Sequence, residues 1–121
     1  MKKIVNFFTK KLFLSFAKIF NIPNGYYILM YHRVVKSELY EKQDLNTLFV
    51  KEETFLEQIN YLNNNLENIS LKTLIYRIEN NLKPDKPYYI LTFDDGYDDN
   101  FNFVAPLLDK KSIYGTFFLC T

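Results

Sequence analysis

Two adjacent carboxylates, Asp94 and Asp95, come directly after a short apolar run, residues 88–93, and are followed by Gly96. Neighbouring carboxylates repel each other, so the pair is unfavourable unless a cation neutralises it or one member holds a proton. Gly96 permits a sharp bend, so both side chains could reach one pocket although successive strand residues point to opposite faces. One carboxylate could then bind a metal ion while the other removes a proton from a metal-bound water molecule. The alternative interpretation is that the pair only ends the strand and caps the next helix.

Three other polar residues follow or end the predicted strands near this carboxylate pair. Asp98 and Asp99 lie at the predicted start of the next helix, where acidic residues suit the helix dipole, so we interpret them as capping residues. His32 ends an earlier apolar run, residues 26–32, and it either lines the rim of the pocket or makes a structural hydrogen bond. It is the single histidine of the chain, which excludes any site that needs two histidines from these residues.

The elements that must position these residues follow from the hydrophobic pattern. Short apolar and aromatic runs predict buried strands, and apolar residues repeated at helical spacing predict helices. Ser70 is a good N-cap for the second helix, whereas Pro106 should shorten or kink the third. Residues 36–49 are polar and mixed and predict a loop. The predicted order is strand, helix, helix, strand, helix, strand, at residues 26–32, 52–66, 71–79, 88–93, 98–111 and 116–119. This order indicates an α/β chain with parallel strands.

Length and composition set the broad class. A chain of 121 residues suits one domain, and its 12 Phe and 10 Tyr exclude a disordered chain. The net charge of +1 argues against a nucleic-acid partner. The single cysteine, Cys120, excludes an internal disulfide framework and a multi-cysteine zinc site. No apolar run is long enough for a membrane span, which takes about 18–20 residues.

Residues 1–22 differ from the rest of the chain. They hold five lysines and no acidic residue, whereas the remainder has 10 basic and 14 acidic side chains. Their apolar residues recur at helical spacing and form one stripe: Val5, Phe8, Leu12, Phe16 and Ile19. We predict an amphipathic helix that either lies on an anionic membrane surface or packs on its own domain. The segment is no convincing signal peptide, because lysines interrupt its apolar part and no small-residue cleavage site follows. Localisation is therefore left open, with peripheral membrane association as one hypothesis.

Several short motifs together resemble the start of the polysaccharide deacetylase family, the NodB-homology domain of carbohydrate esterase family four. The motifs are TFDDGY at residues 92–97, the following Asn100, and GTFFL at residues 115–119. The upstream MYHRV at residues 30–34 also resembles the leader region of many members. The resemblance covers roughly residues 26–121.

This resemblance implies a fold, a reaction and roles for site residues. The fold would be the N-terminal part of a distorted (β/α) barrel, preceded here by the amphipathic helix. Asp94 would be the general base, and Asp95 would be a ligand of a divalent metal ion, usually zinc. The reaction would hydrolyse N-acetyl groups on a polysaccharide or a glycolipid sugar. His32 and Tyr97 are weaker candidates for the substrate pocket.

The sequence also departs from the family. The second family motif, His-Ser/Thr-x-x-His, supplies two further metal ligands and is absent from these 121 residues. We therefore predict an incomplete, truncated deacetylase that is inactive alone, divided into a basic helix (1–22), a leader strand with two helices (23–87) and the start of the deacetylase domain (88–121). The alternative is a non-catalytic fragment that associates with a membrane or pairs with a separate C-terminal half.

Three other classes of acidic site fit less well. A haloacid-dehalogenase-type phosphatase needs Asp-x-Asp, whereas here the two acids are adjacent. An EF-hand counted from Asp94 has Ala105 where its twelfth-position Glu should be. A response-regulator receiver domain also has an acidic pair after its first strand, but it needs a distant Asp and Lys and does not account for Gly96.

Overall fold

The computed structural model describes residues 21–40 and 48–121, so most of the helix predicted over residues 1–22 lies outside the described residues. The strands are β1 (Gly25–Tyr31), β2 (Arg33–Val35), β3 (Phe49–Lys51), β4 (Glu67–Asn68), β5 (Pro87–Phe93) and β6 (Gly115–Phe117). The helices are α1 (Ser37–Tyr40), α2 (Glu52–Asn65), α3 (Leu71–Glu79) and α4 (Ala105–Lys110), the last preceded by a π-helical turn over Asn100–Val104.

Strand β5 is the centre of a four-stranded parallel sheet. β1 pairs with it along its whole length, from Gly25 beside Pro87 to Tyr31 beside Phe93. The other edge of β5 is shared by two short strands, β4 next to its first half and β6 next to its last three residues. β2 and β3 form a separate parallel pair. The predicted α/β class with parallel strands is therefore confirmed, and the described strands form an open sheet.

The main core lies on one face of β5. Its alternate residues Tyr89, Leu91 and Phe93 are fully buried, as expected for a strand covered on that side by helices. Helix α2, the π-helical turn and α4 cover this face with Phe55, Ile59, Val104 and Leu108. A smaller cluster fills the opposite face, where Tyr88 and Ile90 pack against Ile69 and Leu74. Both faces of β5 are thus buried, which explains its nearly unbroken apolar sequence.

The longer predicted elements are confirmed within one or two residues. Helix α2 spans Glu52–Asn65 and buries Phe55, Ile59 and Leu62. Ser70 caps α3, because its hydroxyl accepts a hydrogen bond of 3.1 Å from the Thr73 backbone N–H. The third helix begins near Asp98 as predicted but is not regular. Pro106 has no N–H to donate, and the preceding N–H of Ala105 bonds to the carbonyl of Asn100, five residues back.

Several short elements were not predicted. β2, β3 and β4 have only two or three residues each, and α1 occupies part of the predicted loop over 36–49. Asn68 explains how the short strands β4 and β6 share one edge of β5. Its side-chain nitrogen donates to the carbonyl of Tyr114 at 3.3 Å, and its oxygen accepts from the Tyr114 N–H at 2.6 Å. The side chain thus joins β4 to the residue just before β6.

Two buried phenols make the fold sensitive to alkaline pH. Burial raises the pKa of Tyr31 to about 12, with a further rise from the neighbouring Tyr89, and burial raises the pKa of Tyr89 to about 12 as well. In the unfolded chain both phenols ionise near the ordinary value of 10.0. Because the folded-state pKa is the higher one, this contribution to stability is complete below pH 10 and is lost as the pH rises toward 12.

We therefore expect the free energy of unfolding to fall as the pH rises from about 10 to 12. Urea titrations at several pH values would measure this slope. Tyr31→Phe removes one ionisable phenol, so it should make the slope shallower, although it also loses the hydrogen bond of 2.9 Å from the Tyr31 hydroxyl to Gln58. Tyr76→Phe is the control, because this ring is 60% exposed. Equal slopes in the Tyr31→Phe variant and the wild type would contradict the prediction.

Candidate active site

The two predicted site carboxylates follow the carboxyl end of β5. The Asp94 N–H donates to the carbonyl of Tyr31, the last residue of β1, at 2.9 Å. The Phe118 N–H, just after β6, donates to the Phe93 carbonyl at 2.8 Å. The turn after β5 is thus held between the carboxyl ends of two neighbouring parallel strands, and this end of an α/β sheet is where ligands bind.

The turn itself has an unusual backbone. Asp95 and Gly96 both have positive φ angles, of 71° and 64°. Asp tolerates the left-handed region better than most residues, and glycine adopts it freely. A Cβ on Gly96 would also lie 2.7 Å from Cδ2 of Leu119, so a larger residue would need both strain and a shift of that side chain. The sharp bend expected from Gly96 is therefore present, and it includes Asp95 as well.

The structure brings His32 beside Asp94. His32 Nε2 lies 4.0 Å from Asp94 Oδ2, and the two side chains are about 20% and 29% exposed. Asp95 is exposed and has a different neighbour, because the Cys120 thiol donates to its Oδ1 at 3.7 Å. The half-buried Asp94 is therefore held in a defined environment, whereas Asp95 faces solvent.

Tyr97 lies against an arginine that sequence reasoning did not assign to the site. The Arg33 guanidinium carbon is 4.8 Å from the centre of the Tyr97 ring. Arg33 Nε donates to Asp99 Oδ1 at 2.9 Å, and the Val34 N–H donates to Asp99 Oδ2 at 2.8 Å. Asp99 makes no side-chain cap hydrogen bond, so its interpretation as a helix cap is wrong: its carboxylate is engaged by β2 instead.

A metal ion needs more ligands than this turn supplies. Catalytic zinc sites use three protein ligands, and within residues 21–40 and 48–121 no group of three or more His, Cys, Asp or Glu side chains could hold an ion. His32 and Asp94 do lie together, but Asp95 points to Cys120. The described residues therefore do not fit a complete metal site. None of the helices in these ranges is long and apolar enough to cross a bilayer.

Comparisons with known proteins show which proteins this chain is similar to. The described chain is an open parallel α/β protein. The segment from Asp94 to Asp99, called the acidic turn below, lies at the carboxyl edge of its sheet. Residues 81–121 match the family described as polysaccharide deacetylase. The Bacillus subtilis (strain 168) protein named "Putative polysaccharide deacetylase YxkH" is 29% identical over 93 residues, which are 76% of this chain and 30% of that protein.

Solved structures are similar to this chain as well. A de-N-acetylase from Aggregatibacter actinomycetemcomitans is 28% identical with a TM-score of 0.61, covering 76% of this chain and 36% of the other. The deacetylase PplD of Streptococcus pyogenes shares the fold, with a TM-score of 0.57 at 22% identity over 81% of this chain and 42% of the other. The resemblance to the polysaccharide deacetylase family is thus confirmed. The chain spans about a third of the length of the relatives it matches.

Proposed function

We propose that this chain supplies the Asp94–Asp95 part of a polysaccharide deacetylase site, which hydrolyses N-acetyl groups on a sugar polymer or a glycolipid sugar. The observation that carries the proposal is the acidic turn held between the ends of β1 and β6, with Asp94 half-buried beside His32. The similarity to a solved de-N-acetylase supports it.

Asp94 is the proposed general base. Its carboxylate would accept a proton from a water molecule while the water oxygen forms a bond to the acetyl carbonyl carbon. The carbon–nitrogen bond then breaks, the nitrogen takes up a proton, and acetate and a free amine leave. His32, 4.0 Å from Asp94, and Tyr97, in the same turn, are proposed as residues of the substrate pocket.

Asp95 is the proposed ligand of a divalent ion, with zinc the expected metal. It is exposed, and its partner Cys120 lies at the long distance of 3.7 Å, so the carboxylate is accessible to an ion. The other ligands would come from residues that these 121 do not include, since the sequence has one histidine. We therefore expect no deacetylation by the 121-residue chain alone.

A chimera tests the proposal directly. Residues 26–121 would replace the matching segment of the Aggregatibacter de-N-acetylase, and acetate release from an acetylated chitooligosaccharide would be measured with zinc present. Turnover by the chimera, together with none by the 121-residue chain, would support the proposal. A chimera that folds cooperatively but releases no acetate would contradict it, as would robust turnover by the isolated chain that Asp94→Asn abolishes.

One observation favours the second candidate, a fragment that pairs with a separate C-terminal half. On β1, Ile28 and Met30 are 57% and 64% exposed, whereas their neighbours on β5, Ile90 and Thr92, are buried. Among the described strands β1 pairs with β5 alone, so it keeps a free edge beside these apolar side chains. Such an edge favours pairing with a further strand.

In this second candidate, residues 1–22 would supply the proposed membrane contact. The purified chain would be mixed with a separately made C-terminal half of the Aggregatibacter enzyme. Sedimentation velocity would detect a complex, and acetate release by the mixture would distinguish the two functions. A stable complex that releases no acetate would favour the binding fragment, whereas an active complex would favour the deacetylase.

A further inference from the structure

A second connection, besides the Asp94–Tyr31 hydrogen bond, ties the acidic turn to the segment after β1. At one end of the turn the Asp94 N–H donates to the Tyr31 carbonyl at 2.9 Å. At the other end Asp99 Oδ2 accepts from the Val34 N–H at 2.8 Å. The residues in between include His32 on one segment and the left-handed pair Asp95 and Gly96 on the other. Both ends of the acidic turn are thus attached to the same short stretch of chain.

The ion pair at the Asp99 end has a closely defined geometry. Arg33 Nε and Nη2 both lie 2.9 Å from Asp99 Oδ1, while Oδ2 is occupied by the Val34 N–H. The Arg33 guanidinium also lies against two rings, 4.8 Å from the centre of Tyr97 and 5.3 Å from that of Phe49. The side chains of Arg33 and Asp99 are only 25% and 13% exposed. A planar guanidinium that donates twice to one carboxylate oxygen and lies against two rings has little rotational freedom.

We infer that Arg33 and Asp99 are positioning residues, which hold the Asp94 turn in register against His32. The inference rests on the proposed function, in which Asp94 is the base. A left-handed backbone is sparsely populated for a residue other than glycine, so Asp95 keeps this conformation because its surroundings fix the turn at both ends. When the Asp99 attachment is removed, the Asp94–Tyr31 hydrogen bond is what still joins the turn to the end of β1, and it should then open more often. The contact between His32 and Asp94 loosens with it.

Amide hydrogen exchange measured by NMR on the full 121-residue chain tests this without any assay of activity. In Asp99→Ala, the protection of the Asp94 N–H should fall by about tenfold or more, while that of the Leu91 N–H within β5 should change by less than about twofold. The imidazole signals of His32 should shift in the same variant. Arg33→Lys keeps the charge but not the paired donors or the ring contacts, so it should cause a smaller change in the same direction.

A second ion pair in the same chain provides the matched control. Arg77 Nη2 lies 2.9 Å from Asp85 Oδ1, and the guanidinium carbon is 4.8 Å from the centre of the Tyr88 ring. Asp85→Ala should leave the Asp94 N–H and the His32 signals unchanged, because this pair lies at the opposite end of β5.

Three results would overturn the inference. The first is unchanged exchange protection of the Asp94 N–H in both Asp99→Ala and Arg33→Lys. The second is an equal fall in protection of the Asp94 and Leu91 N–H groups. The third is a fall at Asp94 in Asp85→Ala as large as that in Asp99→Ala. If Asp99→Ala unfolds the chain, the protection of the Asp94 and Leu91 N–H groups is compared in Arg33→Lys instead. Failure of the chimera to release acetate would contradict the proposed function but would leave these exchange rates as they are.

Discussion

Replacing Asp94 by Asn in the chimeric deacetylase should lower kcat by about 10²- to 10⁴-fold, the usual contribution of a general base. The amide has nearly the same shape as the carboxylate, so the turn and its Asp94–Tyr31 backbone hydrogen bond should be retained. What Asn loses is the capacity to take a proton from the attacking water. KM for the acetylated oligosaccharide should change much less than kcat, because the lost interaction belongs to the transition state.

The measurement is steady-state acetate release at several substrate concentrations, together with the bound zinc per chain. Asp94→Asn should leave the zinc content near that of the parent chimera, whereas Asp95→Asn should lower it. Asp98→Asn is the matched control, since it is an exposed acid in the same segment with no proposed role in the reaction. A kcat for Asp94→Asn within a few-fold of the parent would exclude Asp94 as the base. A loss of zinc in Asp94→Asn but not in Asp95→Asn would show that the two roles are exchanged.

The parts of the fold that the sequence predicts well are those with long, regular patterns. The buried strand over β5 has an unbroken apolar run, because both of its faces are covered. Helix α2 has apolar residues at helical spacing with two acids in its first turn, and it was predicted within one residue of its observed end. Each of these elements contains enough residues for its period to stand out.

The parts that could not be predicted depend on short elements and distant pairs. A strand of three residues such as β2 shows no alternation that distinguishes it from a loop. Asp99 also looked like a helix cap, because acids at the start of a helix commonly are caps. Its actual partner, Arg33, is 66 positions away in the sequence, and nothing in the local pattern links the two. The bend at Gly96 was predictable from a single residue, whereas the contact between His32 and Asp94 required the pairing of β1 with β5.

The acidic turn also depends on the core directly beneath it, because Phe93 immediately precedes Asp94. Phe93 is fully buried, and its ring stacks on Phe117 of β6 at 4.8 Å and on Tyr31 of β1 at 5.5 Å between centres. Phe55 of α2 meets the same ring edge-on at 6.0 Å. One side chain thus joins the ends of the three strands that hold the turn and the helix that covers them.

Phe93→Ala should therefore lower the free energy of unfolding by about 3–5 kcal/mol, the usual loss for a buried Phe. This is a large share of the total for a domain of this size, about 5–15 kcal/mol, so a milder substitution is measured beside it. Phe93→Leu retains most of the side-chain volume. It should lower the free energy of unfolding by about 1–2 kcal/mol, which is about a third of the alanine effect. Urea denaturation followed by tyrosine fluorescence would measure both variants.

Phe101 provides the matched control, because it is the same residue type eight positions further along and its ring is 79% exposed. Phe101→Ala should change the free energy of unfolding by no more than about 0.5 kcal/mol. If Phe93→Leu and Phe101→Ala had equal effects, the stacked rings would not be what holds the strand ends together. If Phe93→Leu alone loses stability and also lowers the exchange protection of the Asp94 N–H, the acidic turn and the aromatic core form one unit, and the carboxylates of the site owe their placement to the packing beneath them.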